Sequence, residues 1–206
     1  MEKARRKERE FNLRRAEILE RSVKIFAAKG FYNTTVAEIA EASGFAVGTL
    51  YQFFAGKEQL YCELLSGKMA SMYAGVRESV EREKEFLRKI EVLVAAQFEF
   101  VENNADFCSI FVRGDHLSLS EGSVALGQRM KSDYAEHVSF IEAVMAEGVR
   151  MGVLKNLDPR MMAVALTGVV NACASRWLTL WKETGLRSQV PFVMDIFLEG
   201  VRRDAP

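Results

Sequence analysis

The chain has 206 residues, 49% of them hydrophobic, and its 28 basic and 28 acidic residues leave a formal net charge of zero, a composition that allows a substantial buried core. Three cysteines, Cys62, Cys108 and Cys173, lie far apart without paired spacing, which excludes a disulfide framework and points to a reducing cytoplasm. No stretch reads as a signal peptide, a transmembrane run, a sequence repeat or a low-complexity linker.

Only three prolines occur, Pro159, Pro191 and Pro206, and strand-like alternation is scarce, so the expected fold class is all-α. Zero net charge hides a polarity along the chain. Within Met1 to Arg15 the basic residues Lys3, Arg5, Arg6, Lys7, Arg9, Arg14 and Arg15 outnumber Glu2, Glu8 and Glu10. Up to Lys68 there are 12 basic and 9 acidic residues, and the remainder has 16 against 19. A positive head on a negative body suits a protein that meets DNA end-on. A solvated helical extension with intrahelical ion pairs is the plainer explanation of the same tail.

From Thr34 to Leu60, TTVAEIAEASGFAVGTLYQFFAGKEQL predicts two short helices pinched around a glycine and the start of a third, a helix-turn-helix. Thr35 followed by Glu38 fits a capping box. Ile39, Phe45, Leu50 and Phe53 fall on the inward faces, Ala40 is small enough for a close crossing, and Gly44 accepts the positive φ of the turn. The second helix runs from about Val47 to Phe53, its N-terminal residues aimed at a major groove. A long helix from about Lys57 joins the head, residues 1–65, to the body, residues 66–206.

In the body the spacing predicts helices over Arg82 to Asn103, Ala105 to Val112, Ser123 to Met151, Pro159 to Thr184 and Ser188 to Arg203. Asn103-Asn104, Arg113-Gly114-Asp115 and Gly152 are the expected breaks, and Asp158-Pro159 reads as a cap with proline in the first turn. From Met161 to Trp181 apolar residues surround the helix, so one neighbour cannot cover them. Gly168 and Ala172 permit close helix approach, and Val193, Ile196, Phe197, Gly200 and Val201 follow at amphipathic spacing.

The helix-turn-helix stretch resembles the TetR family of bacterial transcriptional regulators. Upstream, ILERSVKIFAAKGFYNTTV (Ile18 to Val36) is similar to the family's first helix, with its glycine-aromatic pair before the threonines. Downstream, GTLYQFFAGKEQL (Gly48 to Leu60) is similar to its Gly-Thr-Leu-Tyr, Phe and Lys-Glu-x-Leu elements, so the likeness covers roughly Ile18 to Leu65. It implies an N-terminal three-helix helix-turn-helix head joined to a larger helical ligand-binding and dimerisation body. Carried over by position, DNA contacts are expected at Thr35, Val47, Gly48, Thr49, Tyr51, Gln52 and Lys57. Three positions depart from the pattern: Ala46 stands where a capping serine is usual, Phe53 where a tyrosine or histidine is usual, and Gly56 where a serine is frequent.

The resemblance further implies a homodimer through the last two helices, with two heads roughly 34 Å apart reading half-sites of a palindromic double-stranded operator. A small-molecule inducer, apolar or amphipathic, is expected in the body, with Gln97, Phe98, Phe107, Phe111, His137, Phe140, Asn171 and Trp177 as candidate lining and Arg176 as a further polar group. Thr167, Asn171 and Ser175 form a polar stripe that is either a pocket wall or a hydrogen-bonded seam in the interface. The expected mechanism is a ligand-biased tilt of the helix beginning near Lys57.

An enzyme would require a nucleophile with a base, a metal cluster or a phosphate loop. Only His116 and His137 are present, and Asp115-His116 is too thin for a metal site. No catalytic residue, metal, cofactor or membrane partner is therefore expected. Two alternatives stay open: a redox-sensing regulator working through Cys108, near Asp106, Arg113 and His116, and a dimeric scaffold whose head no longer reads DNA.

Overall fold

The computed structural model describes residues 1–113, 122–180 and 184–202, and among them there are nine α-helices, no strand, and one isolated antiparallel bridge between Leu154 and Arg202. The predicted break at Gly114-Asp115, together with His116 and Trp181, lies outside the described residues. The chain divides into two compact units, one of residues Met1–Lys68 with Asp106–Gln128 and one of Met69–Ala105 with Arg129–Pro206.

In the first unit, α1 (Glu2–Lys29) is a single helix that begins well before Ile18. No glycine or proline interrupts it before Gly30, and its charged residues are good helix formers. Ion pairs Arg6–Glu10 and Arg21–Glu17 lie along its exposed surface, as the plainer reading of the tail expects. Ile18, Ser22, Val23 and Phe26 recur at the helical period and are buried. Gly30 takes φ 77°, a value that disfavours any residue with a Cβ, and ends the helix. Helices α2 (Val36–Ser43) and α3 (Val47–Phe53) follow, then the start of α4 (Lys57–Glu81). Ile39, Ala40, Leu50 and Phe54 are buried. The Tyr61 ring meets Phe26 edge-on at 4.8 Å and Phe31 at 4.9 Å between centroids, an aromatic centre that ties α1 to α4. Helix α6 (Ala105–Arg113) is grouped with this unit and buries Phe107 and Ile110.

In the second unit, α5 (Phe86–Asn103) starts four residues later than the spacing predicts. Acidic side chains explain the delay. Glu85 accepts the amides of Leu87 and Arg88 at 3.0 and 2.9 Å, and Glu83 accepts those of Lys84 and Glu85, so the chain turns and caps where a continuous helix was expected. Ile90, Leu93, Val94 and Phe98 form the buried stripe of α5. Helix α7 (Gly122–Arg150) stops before Gly152, whose φ is 71°. Gly148 near its end faces the Phe86 ring and Leu154 so closely that a Cβ would collide with both. Helix α8 (Pro159–Leu180) opens as predicted, with Asp158 Oδ1 accepting the Arg160 amide at 2.9 Å and proline in the first turn. The last predicted helix is instead a short 3-10 turn, Leu186–Gln189, leading into α9 (Val190–Val201), with Pro191 in its first turn. Arg203 lies outside the described residues.

Helix α8 is long and apolar enough, by length and composition, to cross a membrane, yet only 33% of its most apolar stretch is buried. Met162, Ala163, Leu166, Val170 and Trp177 face inward. Met161 and Val164 on α8, and Phe192 and Ile196 on α9, are exposed.

Candidate nucleic-acid interface and ligand site

The head is built by local signals. Thr35, in extended backbone, accepts the Glu38 amide through its hydroxyl at 3.2 Å, and Glu38 Oε2 accepts the Thr35 amide at 2.8 Å. This is the predicted capping box, satisfying two amides that the first turn of α2 leaves without helical partners. Lys29 pairs with the same carboxylate. Its hydrogen bond and those from Thr35 pull the Glu38 carboxyl down to about 2, so it stays ionised at neutral pH. Gly44 at φ 73° makes the turn, its amide reaching the carbonyls of Ala40 and Glu41.

Helix α3 then has two distinct faces. Leu50 is buried, and Phe53 packs its ring 6.2 Å from Phe45. On the other side Val47, Gly48, Tyr51 and Gln52 are exposed, Tyr51 by 55%, and open space surrounds the Gly48 Cα. Thr49 lies half-buried between the faces. Ala46 provides no side-chain cap, as its identity predicts. Gly56 likewise lacks a hydroxyl, and Gln59 Oε1 accepts the nearby Ala55 amide.

Lys57, expected at a DNA phosphate, is engaged within the head. Its ammonium donates to the carbonyls of Phe31 at 2.7 Å, Thr34 at 2.7 Å and Tyr32 at 3.4 Å, and sits 4.4 Å over the Phe31 ring. An ammonium has three donors, and these three carbonyls can accept from all of them. Burial lowers its pKa from the ordinary lysine value. Lys57 thus fastens the α1–α2 connection to the start of α4, which also offsets its unfavourable place at a helix N-terminus.

A second contact was not anticipated from the sequence. The Phe11 and Phe53 rings stack at 4.6 Å, and the Arg15 guanidinium lies 4.8 Å over Phe54 while pairing with Glu63. The apolar residue that replaces a polar-tipped one at position 53 therefore holds the extension of α1.

The candidate ligand residues are divided between the two units. Phe107 and Phe111 meet edge-on at 5.2 Å within the first unit. In the second unit Gln97, Phe98 and His137 are buried and Phe140 is half-buried. Trp177 is buried, but its indole N–H donates to the Thr184 carbonyl at 2.6 Å, fastening the chain beyond α8. Asn171 and Arg176 are exposed on α8, so neither lines an enclosed site in this unit. The polar stripe is split in the same way: Thr167 is buried and donates to the Ala163 carbonyl at 2.8 Å, whereas Asn171 and Ser175 face outward.

Two residues absent from the sequence-based list complete the environment of His137. Tyr73 stacks on its imidazole at 4.3 Å, and the Arg77 guanidinium lies 4.5 Å over Phe140. Tyr73, Arg77 and His137 border a cleft of about 300 Å³ with Ala70, Ala74, Glu78, Glu81, Asp133 and Glu136 on its walls. No spacing rule pairs positions more than sixty residues apart, so only the amphipathic pattern of α4 offered a signal. His137 Nε2 and Gln97 Nε2 are buried without hydrogen-bond partners among the described residues. Burial, then Arg77, pushes the imidazole down to about 4, so it is neutral at pH 7. Burial pushes the Cys108 thiol up to about 12, the opposite of what a redox-sensing thiolate needs. No group of three metal-ligating side chains occurs among the described residues.

Residues 18–64 match the family model for bacterial regulatory proteins of the tetR family. The HTH-type transcriptional repressor KstR2 of Mycobacterium tuberculosis is 38% identical over 93 residues, 45% of this chain and 46% of that protein. The fatty acid metabolism regulator protein of Bacillus subtilis is 20% identical over 186 residues, covering 90% of this chain and 94% of that protein. Among solved structures, the transcriptional regulator FadR from Bacillus subtilis in complex with stearoyl-CoA superposes with a TM-score of 0.75 at 19% identity, covering 90% of this chain and 98% of that one. The match falls on the capped helix-turn-helix, so residues 18–64 carry the DNA-binding domain of the tetR family of bacterial regulatory proteins, and the rest of the chain shares the helical fold of the solved regulators.

Proposed function

We propose that the protein binds a palindromic DNA operator as a homodimer, represses transcription from it, and is released by a small apolar or amphipathic molecule. In this reading residues 1–65 are the DNA-binding head, residues 66–206 the ligand-binding and dimerisation body, and the site of action is the cytoplasm. The observation that carries it is the two-faced α3, packed through Leu50 and open at Val47, Gly48, Tyr51 and Gln52. Such a helix fits a major groove. Thr49 and Gln52 reach base edges, since hydroxyl and amide groups both donate and accept. Tyr51 and the amides beside Thr35 bind phosphate.

The dimer is supported by the apolar outward faces of α8 and α9, where Met161 is 61% and Phe192 56% exposed. The ligand reading is supported by the orphaned nitrogens of Gln97 and His137 among buried apolar neighbours, since an unpaired buried donor or acceptor costs roughly 1–3 kcal/mol that a polar guest relieves. Gln97, Phe98, His137 and Phe140 are the lining residues proposed. A long-chain acyl thioester is the first class to try, given the stearoyl-CoA complex of the B. subtilis structure.

Selection from a random double-stranded DNA pool at about 150 mM salt, which suppresses weak nonspecific binding, tests the proposal. A palindrome is expected, and stearoyl-CoA added to the complex is expected to weaken it tenfold or more, a differential affinity of about 1.4 kcal/mol. Retention of no sequence would remove the DNA reading and favour a scaffold.

A further inference from the structure

Helix α1 runs unbroken from Glu2, and its first ten residues extend past the last contact with the head core as a rod of roughly 1.5 Å per residue. The Phe11–Phe53 stack fixes that rod beside the end of α3, next to exposed Tyr51 and Gln52. Arg15, lying over Phe54 and paired with Glu63, fixes it one turn further on. Its direction is therefore set by two side chains.

The charges on the rod are not evenly spread. At 3.6 residues per turn, Lys3, Lys7 and Arg14 all fall within about 80° of Phe11, on one flank of the face it presents to α3. All three are exposed, and none makes an ion pair among the described residues. Glu10, at the edge of that flank, is held by Arg6 at 3.1 Å. Arg5 and Arg9 point to the opposite side of the helix. A stripe of three unpaired cations on a rod anchored at the end of α3 matches the charge and extended course of a DNA backbone.

Resting on the DNA-binding reading above, we propose that α1 is a second DNA-contacting element: Lys3, Lys7 and Arg14 bind phosphates flanking each half-site, and Phe53 serves as the anchor that holds them there. In this scheme the chain gives up a polar tip at position 53 and gains a rigid cationic arm. The contacts carry affinity without base preference, because phosphates are the same in every sequence.

The test measures operator affinity against salt for the full chain, using the DNA that the selection retains. Each phosphate contact contributes about 0.9 to the slope of log affinity on log salt. The triple variant Lys3→Gln, Lys7→Gln, Arg14→Gln is expected to flatten the slope by up to about 2.7 per head while selecting the same sequence. Arg5→Gln with Arg9→Gln is expected to change it by less than half as much. Phe11→Ala keeps every charge and is expected to flatten the slope partway, with helix content checked by circular dichroism. An unchanged slope in the triple variant, or an equal loss in the double variant, overturns the proposal and leaves the DNA reading standing. Failure of the unmodified chain to retain any DNA overturns both.

Discussion

Lys57 in the first unit and His137 in the second are both polar groups among aromatic rings, and their circumstances are opposite. The Lys57 ammonium has three carbonyl acceptors and a ring beneath it. His137 has a stacked tyrosine but a buried nitrogen with no hydrogen-bond partner among the described residues. A saturated centre like that of Lys57 specifies one geometry, because any shift breaks charge-assisted hydrogen bonds. The unsaturated one leaves hydrogen-bonding capacity for another molecule to use. The contrast separates the part of the molecule that must present a fixed surface from the part that can respond.

The largest expected effect comes from breaking the saturated centre. Lys57→Met leaves three carbonyls without their donor and is expected to lower unfolding stability by about 3 kcal/mol in urea titrations. Unchanged stability with weakened operator binding would instead return Lys57 to the phosphate contacts.

Acid probes the other centre. Because the folded His137 pKa, about 4, lies below the ordinary value of 6.5, the unfolded chain binds the proton more readily, and stability falls as pH drops through that window. Between pH 6.5 and 4.5 the expected loss from this group is about 2 kcal/mol, and it should vanish in His137→Phe. The Glu38 contribution, whose folded pKa is depressed to about 2, is lost only as pH falls below about 4.5. A flat wild-type profile from pH 6.5 to 4.5 would place His137 in water.

Two smaller changes sharpen the comparison. Thr35→Ala removes a satisfied cap and is expected to cost about 1 kcal/mol. His137→Phe at pH 7 keeps a ring against Tyr73 and removes the orphan nitrogen, so thermal unfolding should show no loss and up to about 1 kcal/mol of gain. A loss comparable to that of Thr35→Ala would mean that the imidazole is already satisfied.

The same contrast explains what the sequence discloses. The capping box at Thr35 and Glu38, the turn at Gly44, the limits of α3 and the Asp158-Pro159 start of α8 are all set by residues within four positions of one another. Such signals survive in a linear reading. The partners of Lys57 lie 23 to 26 residues away, and Phe11–Phe53, Tyr73–His137 and Arg77–Phe140 are separated by much longer stretches of chain. These pairs depend on how helices cross, which local periodicity does not encode. The late start of α5 has a different cause, since glutamates at 83 and 85 read as helix formers by propensity and act as caps by hydrogen bonding. A polar residue in an apolar helix such as Asn171 suggests a pocket lining, and the linear pattern cannot tell that from the exposed position it takes on α8.

The unbroken course of α1 also bears on how the chain can be handled. A purification tag or fluorophore joined at Met1 would ride on the free end of a stiff helix of roughly 42 Å, stacked through Phe11 on Phe53 at the end of α3 and with no hinge before Gly30. Its position would be tied to the head through that helix, and its bulk would be measured along with the protein's own behaviour.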